Sequence, residues 1–367
     1  MDMLIEIGKD VVERAMRNES QALDVLRDLA FGFKKCCHVV YTDRKFLDNI
    51  DHIDGLSTEE KKVYKIVGQK MTSYMNFYRA FAFHAYVTFD KATTMTSNMA
   101  IINPSEVNTF EWFSKTHLLT ENLTDASFYE YVVAYYMRKN KINGFKKESQ
   151  NIPGGGDTTV QYCESQIRDR KQFCLAIVDS DLKYKGGSLK ETSSKVKKCI
   201  DDNKPFNCQY YVIEELSEIE NMIPLQVISS NSQYKNKQII KEGLQFCLDY
   251  FDFKKGLTTD ELINEEFYKY WISEIKHLKD ISEKVEDYRN KAVKCGSRVA
   301  YEKVKQDNLI EGFGDKLLVT IMDSAEAKVA LRNVTDKDLS PSQNLVWYNM
   351  GKIIFEWCCA FRNFKNS

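Results

Sequence analysis

The sequence predicts an α/β protein: a mostly parallel sheet domain over residues 112–230, inserted between helical N-terminal (1–111) and C-terminal (231–367) regions. Three observations carry this expectation. Between about residues 112 and 230, short apolar runs that end in acidic or Gly-rich turns alternate with helical stretches, the grammar of βαβ units. Stretches with apolar residues at helical spacing lie on both sides, and only five prolines punctuate 367 residues. At about 100–200 residues per domain, that length accommodates two or three domains, enough for a sizeable core.

In the N-terminal region, Val11, Val12, Ala15, Leu23, Leu26 and Leu29 form one apolar stripe. Ser57-Thr58-Glu59-Glu60 then has the form of a capping box, in which the Ser hydroxyl and the Glu carboxylate satisfy two backbone N–H groups at a helix start. Val63, Ile66, Val67, Met71, Tyr74 and Tyr78 follow at helical spacing, so residues 1 to about 88 are expected to be all helical. Thr88–Asn108, rich in Thr, Asn and Ser, reads as a connector. The strands expected next are His117–Thr120, a short one near Asn151–Pro153, Phe173–Val178 and Tyr210–Ile213, with helices at Ala126–Lys139 and Thr158–Asp169. After about Ser230, a second capping box, Thr258-Thr259-Asp260-Glu261, precedes Leu262, Phe267, Tyr270 and Ile275, and Gly312-Phe313-Gly314 interrupts the last helical stretch.

Composition excludes several classes. With 43% hydrophobic and 29% charged residues, the chain is neither disordered nor collagenous. Its 52 Lys and Arg against 53 Asp and Glu rule out a wholly basic nucleic-acid coat, so any polyanion contact must come from a local patch. The longest aromatic-apolar stretch, Tyr74–Phe89, is broken by Arg79 and His84 and falls short of a membrane span. The acidic opening Met1-Asp2-Met3-Leu4-Ile5-Glu6 lacks the order of a secretory signal, and a cytoplasmic location is expected. Ten cysteines without a Cys-x-x-Cys pair read as reduced, buried thiols, and Cys36-Cys37-His38 has no second ligand pair to suit zinc.

The chemistry concentrates in the middle domain. Cys174-Leu175-Ala176-Ile177-Val178-Asp179-Ser180-Asp181 is an apolar strand that stops on two acids one residue apart. Carboxylates just past a buried strand are hard oxygen donors on rigid backbone, as Mg²⁺ or Mn²⁺ requires, and the same residues also suit a plain Asx turn. Glu121 follows His117–Thr120 in the same way, ahead of Asp125, whose simpler role is helix capping. Gly154-Gly155-Gly156 opens a helix, either as a turn whose N–H groups approach a phosphate or as a flexible turn only. Tyr211-Val212-Ile213 runs into Glu214-Glu215-Leu216-Ser217-Glu218-Ile219-Glu220-Asn221, an acidic run of the kind that is usually a solvated face.

In this order, Glu121-x-x-x-Asp125, Gly154-Gly155-Gly156, Asp179-Ser180-Asp181 and Glu218-Ile219-Glu220-Asn221 resemble the Toprim fold as used by the OLD (overcoming lysogenisation defect) nucleases and related bacterial phage-defence effectors. Asn122 stands where that family has Gly after the Glu. The resemblance implies divalent-metal ligation, by two Mg²⁺ or Mn²⁺ ions, at Glu121, Asp179 and Asp181, with Glu220 or Glu218 completing the site, and a metal-dependent endonuclease acting on DNA or RNA. It also implies a toxic effector of an abortive-infection system, restrained by a separate sensor such as an ATPase or a reverse-transcriptase–RNA complex. The flanking helical regions would recognise substrate, dimerise or hold that partner.

Around the acids, Arg168, Arg170, Lys171, Lys183, Lys185, Lys190, Lys195, Lys197 and Lys198 form a local basic excess suited to a phosphodiester backbone, with Lys183 or Lys185 expected to neutralise phosphate oxygens. Solvated lysines are the plain alternative. Lys316, after Gly312-Phe313-Gly314, is a second basic candidate. Two other readings stand beside the nuclease: a helical ribonuclease using Arg79 and His84, and a non-catalytic module in which the acids bind metal for stability or dock a basic partner.

Overall fold

The computed structural model describes residues 3–78, 81–241, 248–258, 264–275, 279–294 and 308–362. They divide into two compact units, the first formed by Met1–Ile177, Lys195–Tyr211 and Met350–Ser367, the second by Val178–Ser194 and Val212–Asn349. The chain changes unit inside two strands of the sheet domain, at 177/178 and 211/212.

The first unit opens with β1 (Leu4–Ile7), α1 (Lys9–Met16), α2 (Ser20–Lys34) and β2 (Val39–Tyr41). There follow α3 (Arg44–Asp48), α4 (Thr58–Ser73), α5 (Met75–Tyr78), β3 (His84–Val87), β4 (Thr94–Met95) and β5 (Met99–Ile102). The strands form one sheet in the order β2-β1-β3-β5-β4, parallel except for the β4–β5 pair. The expectation of an all-helical N-terminus is therefore corrected. Strands of two to four residues leave almost no alternating pattern, and buried parallel strands read as apolar runs that a helical stripe also produces. The Ser57 capping box does form: Glu60 N–H donates to Ser57 Oγ at 3.3 Å and Ser57 N–H to Glu60 Oε2 at 2.6 Å.

Next come β6 (His117–Thr120), α6 (Leu123–Lys139), β7 (Phe145–Lys147), β8 (Gln150–Pro153), α7 (Asp157–Asp169), β9 (Cys174–Asp179), α8 (Glu191–Asn203) and β10 (Cys208–Ile213). The second sheet has the order β10-β9-β6-β8, with β6 parallel to both β8 and β9. Leu118, Leu119, Leu175 and Ile177 are fully buried in it, and each large apolar side chain contributes about 1.5–3 kcal/mol by leaving water. Leu119 pairs with Ala176, so β6 and β9 finish at the same edge of this sheet.

Beyond β10 the second unit contains α9 (Leu225–Ser230), α10 (Gln238–Lys241), β11 (Gly256–Thr258), α11 (Glu265–Ile275), α12 (Lys279–Lys294), β12 (Asn308–Glu311), α13 (Leu317–Asp323) and α14 (Ala325–Arg332). β11 and β12 pair antiparallel, an addition to the expected helices. The capping box expected at 258–261 lies, apart from Thr258, outside the described residues. The chain returns through α15 (Pro341–Cys358) to β13 (Cys359–Phe361), which pairs antiparallel with β7 in the first unit. Among the described residues no helix is long and apolar enough to cross a membrane. Cys37, Cys163, Cys174, Cys208, Cys358 and Cys359 are buried, whereas Cys36 and Cys199 are partly exposed.

Candidate functional site

In the second unit the two acidic motifs are bonded to each other. Ser180, fully buried, donates its hydroxyl to Leu216 O at 2.7 Å and accepts Leu182 N–H at 3.2 Å. Asp181 takes a left-handed conformation (φ 52°), which Asp tolerates better than most residues, and donates its N–H to Ser217 O at 2.9 Å. These bonds fold the Asp-Ser-Asp turn against residues 216–217. Ile219–Met222 then makes one 3₁₀ turn whose first N–H, that of Ile219, donates to Asp179 Oδ1 at 3.0 Å. Asn221 is the anchor of this turn: its Oδ1 accepts Glu218 N–H at 2.9 Å, and its Nδ2 donates to Leu248 O at 2.6 Å and Phe251 O at 2.8 Å.

The motif pair encloses a residue that sequence reasoning missed. Asp252 Oδ1 accepts the N–H groups of Lys254 (3.0 Å) and Lys255 (2.8 Å), an Asx turn that presents Lys254. Lys254 Nζ lies 2.9 Å from Glu218 Oε2 and 3.4 Å from Glu220 Oε1. Burial works against the ammonium, but the carboxylates of Glu220, Glu218 and Asp179 outweigh it and hold its pKa above the ordinary lysine value. Burial raises the pKa of Glu220, Lys254 opposes the rise, and Glu218 adds to it. One ammonium cannot neutralise two carboxylates, and the deeply buried Glu220 bears the penalty. Its Oε2 is buried without a hydrogen-bond donor.

Other expected residues find different surroundings. Lys183 Nζ lies 3.4 Å from Asp252 Oδ2, and Lys190 Nζ lies 3.8 Å from Asp181 Oδ1. Lys195 pairs with Asp157 at 3.0 Å and Lys197 with Asp201 at 3.4 Å, so much of the basic excess read from sequence is neutralised locally. Phe313 N–H donates to Phe253 O at 2.6 Å and Gly314 N–H to Lys254 O at 3.0 Å, so this late segment braces the turn that carries Lys254. The only sequence signal for Lys254 was Asp252-Phe253-Lys254-Lys255-Gly256, a turn-forming run 33 residues beyond the acidic motif's Asn221 (254 − 221).

Glu121 belongs to the first unit, where it is exposed one residue past β6. Asp125 is a capping residue, accepting Asn122 N–H at 2.8 Å. The glycine turn is less open to a phosphate than expected: Gly154 N–H donates to Thr120 O at 2.7 Å and Gly155 N–H to Thr159 Oγ1 at 2.9 Å. Gly155 (φ 100°) and Gly156 (φ 52°) are instead required by the backbone of the turn. Arg79 lies outside the described residues, and His84 stands on strand β3, not on the helix that a helical ribonuclease needs.

The metal implied by the resemblance is testable against these side chains. The donors are right in kind, since Asp179, Glu218 and Glu220 offer carboxylate oxygens around one ammonium, and Glu220 Oε2 is buried without a hydrogen-bond donor. Among the described residues no three acidic, His or Cys side chains converge as a ready ligand set, and Lys254 Nζ stands against Glu218 and Glu220. Compared with known proteins, the chain matches no family model, no curated protein and no solved structure.

Proposed function

We propose that the chain is a divalent-metal-dependent nuclease whose metal-binding centre is the acidic pocket of the second unit, acting as an effector in bacterial anti-phage defence under a separate sensor such as an ATPase or a reverse-transcriptase complex. The observation that carries the metal reading is the acidic cluster: Glu218 and Glu220 share one cation with Asp179 nearby, and a buried carboxylate oxygen on Glu220 has no donor. The defence role and the partner rest on the motif resemblance alone.

Asp179, Glu218 and Glu220 would hold the ion, with Asp181 two residues past Asp179 in sequence. A bound Mg²⁺ or Mn²⁺ supplies positive charge that acidifies water and stabilises a leaving oxygen. The protein's own contribution is preorganisation. Ile219 N–H fixes Asp179, Asn221 holds the turn that presents Glu218 and Glu220, and the Asx turn at Asp252 sets Lys254 against them. Lys254 and Lys183, each paired with carboxylates in this structure, are the basic groups that would meet non-bridging phosphate oxygens, where charge builds in the transition state. Glu121 joins this reading from the sequence pattern.

Purified chain with Mg²⁺ or Mn²⁺, offered plasmid, single-stranded DNA, total RNA and tRNA, should cleave at least one of them. Asp179→Asn should abolish cleavage and also the rise in melting temperature that metal produces in the parent, because a ligand bound only by the native state stabilises it. Full activity and an unchanged metal response in Asp179→Asn would end the reading. Glu121→Gln with undiminished activity would remove Glu121 from it.

A further inference from the structure

A second candidate site lies in the first unit, on one face of the N-terminal sheet. Side chains alternate across a strand, so Leu4 and Glu6 of β1 share a face, and the register sets Glu6 opposite Tyr41 of β2 on one side and Tyr86 of β3 on the other. His84, two residues before Tyr86 on the same face, brings its Nε2 within 3.4 Å of Glu6 Oε2. Leu4, Glu6, Tyr41 and His84, with Met75, Tyr78 and Phe81, line a cavity of about 260 Å³. The Tyr41 and Tyr78 rings stand 5.2 Å apart, inclined at 52°. Glu6 and His84 retain 37% and 22% side-chain exposure, so neither is sealed from a ligand.

Each property narrows the occupant. The volume falls just below the roughly 300–1,000 Å³ of drug-sized sites, so a single ring system fits and a dinucleotide does not. Aromatic and apolar walls favour a planar ligand with a π-face. A carboxylate in the lining repels anions and accepts two parallel N–H bonds in the fork that it makes with guanidinium groups. Among nucleobases, only guanine presents two adjacent N–H donors, N1–H and the 2-amino group, beside a carbonyl oxygen that a neighbouring imidazole N–H can bind.

We propose that this cavity binds a guanine base, with Glu6 accepting N1–H and the 2-amino N–H, His84 donating to O6, and the mutually packed Tyr41 and Tyr78 lining the cavity beside the ring. The site is independent of the nuclease reading, and its failure would leave the pocket around Lys254 untouched. The base comes either from a free nucleoside or nucleotide or from an unstacked position in a single strand.

The test is calorimetric titration of the full chain with guanosine, inosine and adenosine. Guanosine should bind best, inosine more weakly because it lacks the 2-amino group, and adenosine weaker than guanosine by roughly tenfold to a hundredfold, the discrimination that one bidentate contact provides. Glu6→Gln should erase that preference, and Met75→Trp, at a half-exposed position in the lining, should block binding of all three without shifting the melting temperature. The oligonucleotides UUGUU and UUAUU separate the two sources: tighter binding of UUGUU than of guanosine assigns the cavity to a strand, and equal or weaker binding assigns it to the free nucleoside. Equal affinity for guanosine and adenosine, no measurable binding of guanosine, or a preference that survives both substitutions would overturn the proposal. Should either variant fail to fold, the three-nucleoside series on the parent chain decides alone.

Discussion

Lys254 sets the electrostatics of the acidic pocket, and it is the residue that a reading along the chain passes over. Motif reasoning looks for acids at strand ends, and Asp179, Glu218 and Glu220 are found that way; a lysine on a distant turn becomes relevant only when an Asx turn and the late Gly-Phe-Gly segment place it there. Removing one partner of a buried ion pair leaves its carboxylates unpaired, a cost of about 3–5 kcal/mol when burial is complete. Because the Lys254 side chain is 33% exposed, Lys254→Met should cost less, about 1–3 kcal/mol in chelator. The same variant should gain more stability from millimolar Mg²⁺ or Mn²⁺ than the parent, since the tethered cation no longer competes, and Lys254→Arg should not. Melting curves in chelator and in metal read both effects. An identical metal response in parent and Lys254→Met would show that Lys254 and the ion do not share a site.

At the scale of elements, Gly312-Phe313-Gly314, which the sequence shows as an interruption of the last helical stretch, has a structural task. Gly312 is needed for close backbone approach: a Cβ on it would fall 2.6 Å from Lys254 O and 2.7 Å from Gly256 N. Both are backbone atoms, so neither can yield as the end of a flexible side chain does. Gly312→Ala should therefore destabilise the second unit by about 1–3 kcal/mol, the usual cost of overpacking, and should displace the turn that carries Lys254. A urea midpoint unchanged from the parent would refute this account of the segment. The sheet strands divide in their legibility. His117–Thr120 was legible to the residue and β9 to within one, because each is a compact apolar run bounded by turn formers. β1, β2 and β3 were not, because strands of three or four residues carry too few positions to separate a period of two from one of 3.6.

For the molecule as a whole, acid stability should turn on a residue outside both candidate sites. His38, fully buried in the first unit, has its pKa lowered from 6.5 to about 3, chiefly by burial. The unfolded chain therefore binds a proton below about pH 6.5 that the folded chain refuses, so stability is full above that pH and is lost as pH falls toward 3. Between pH 7 and 5 this one group should remove about 2 kcal/mol, and His38→Gln, which cannot take up the proton, should flatten that part of a urea-unfolding profile. Parallel profiles for parent and variant would exclude His38 as the source. What the sequence determined by itself is local: the strand ends that bear acids, the capping box at Ser57, the turn glycines and the order of motifs, all of which depend on residues within a few positions of one another. Only the tertiary structure decided that the N-terminal region is a parallel sheet, that Lys183, Lys190, Lys195 and Lys197 are paired with acids, that Glu6 and His84 meet across two strands, and that Lys254 enters the acidic pocket. Each of these joins residues remote in sequence, and the energy that selects one such pairing over another comes from burial and from charge in a low-dielectric interior, quantities that do not exist until the chain has folded.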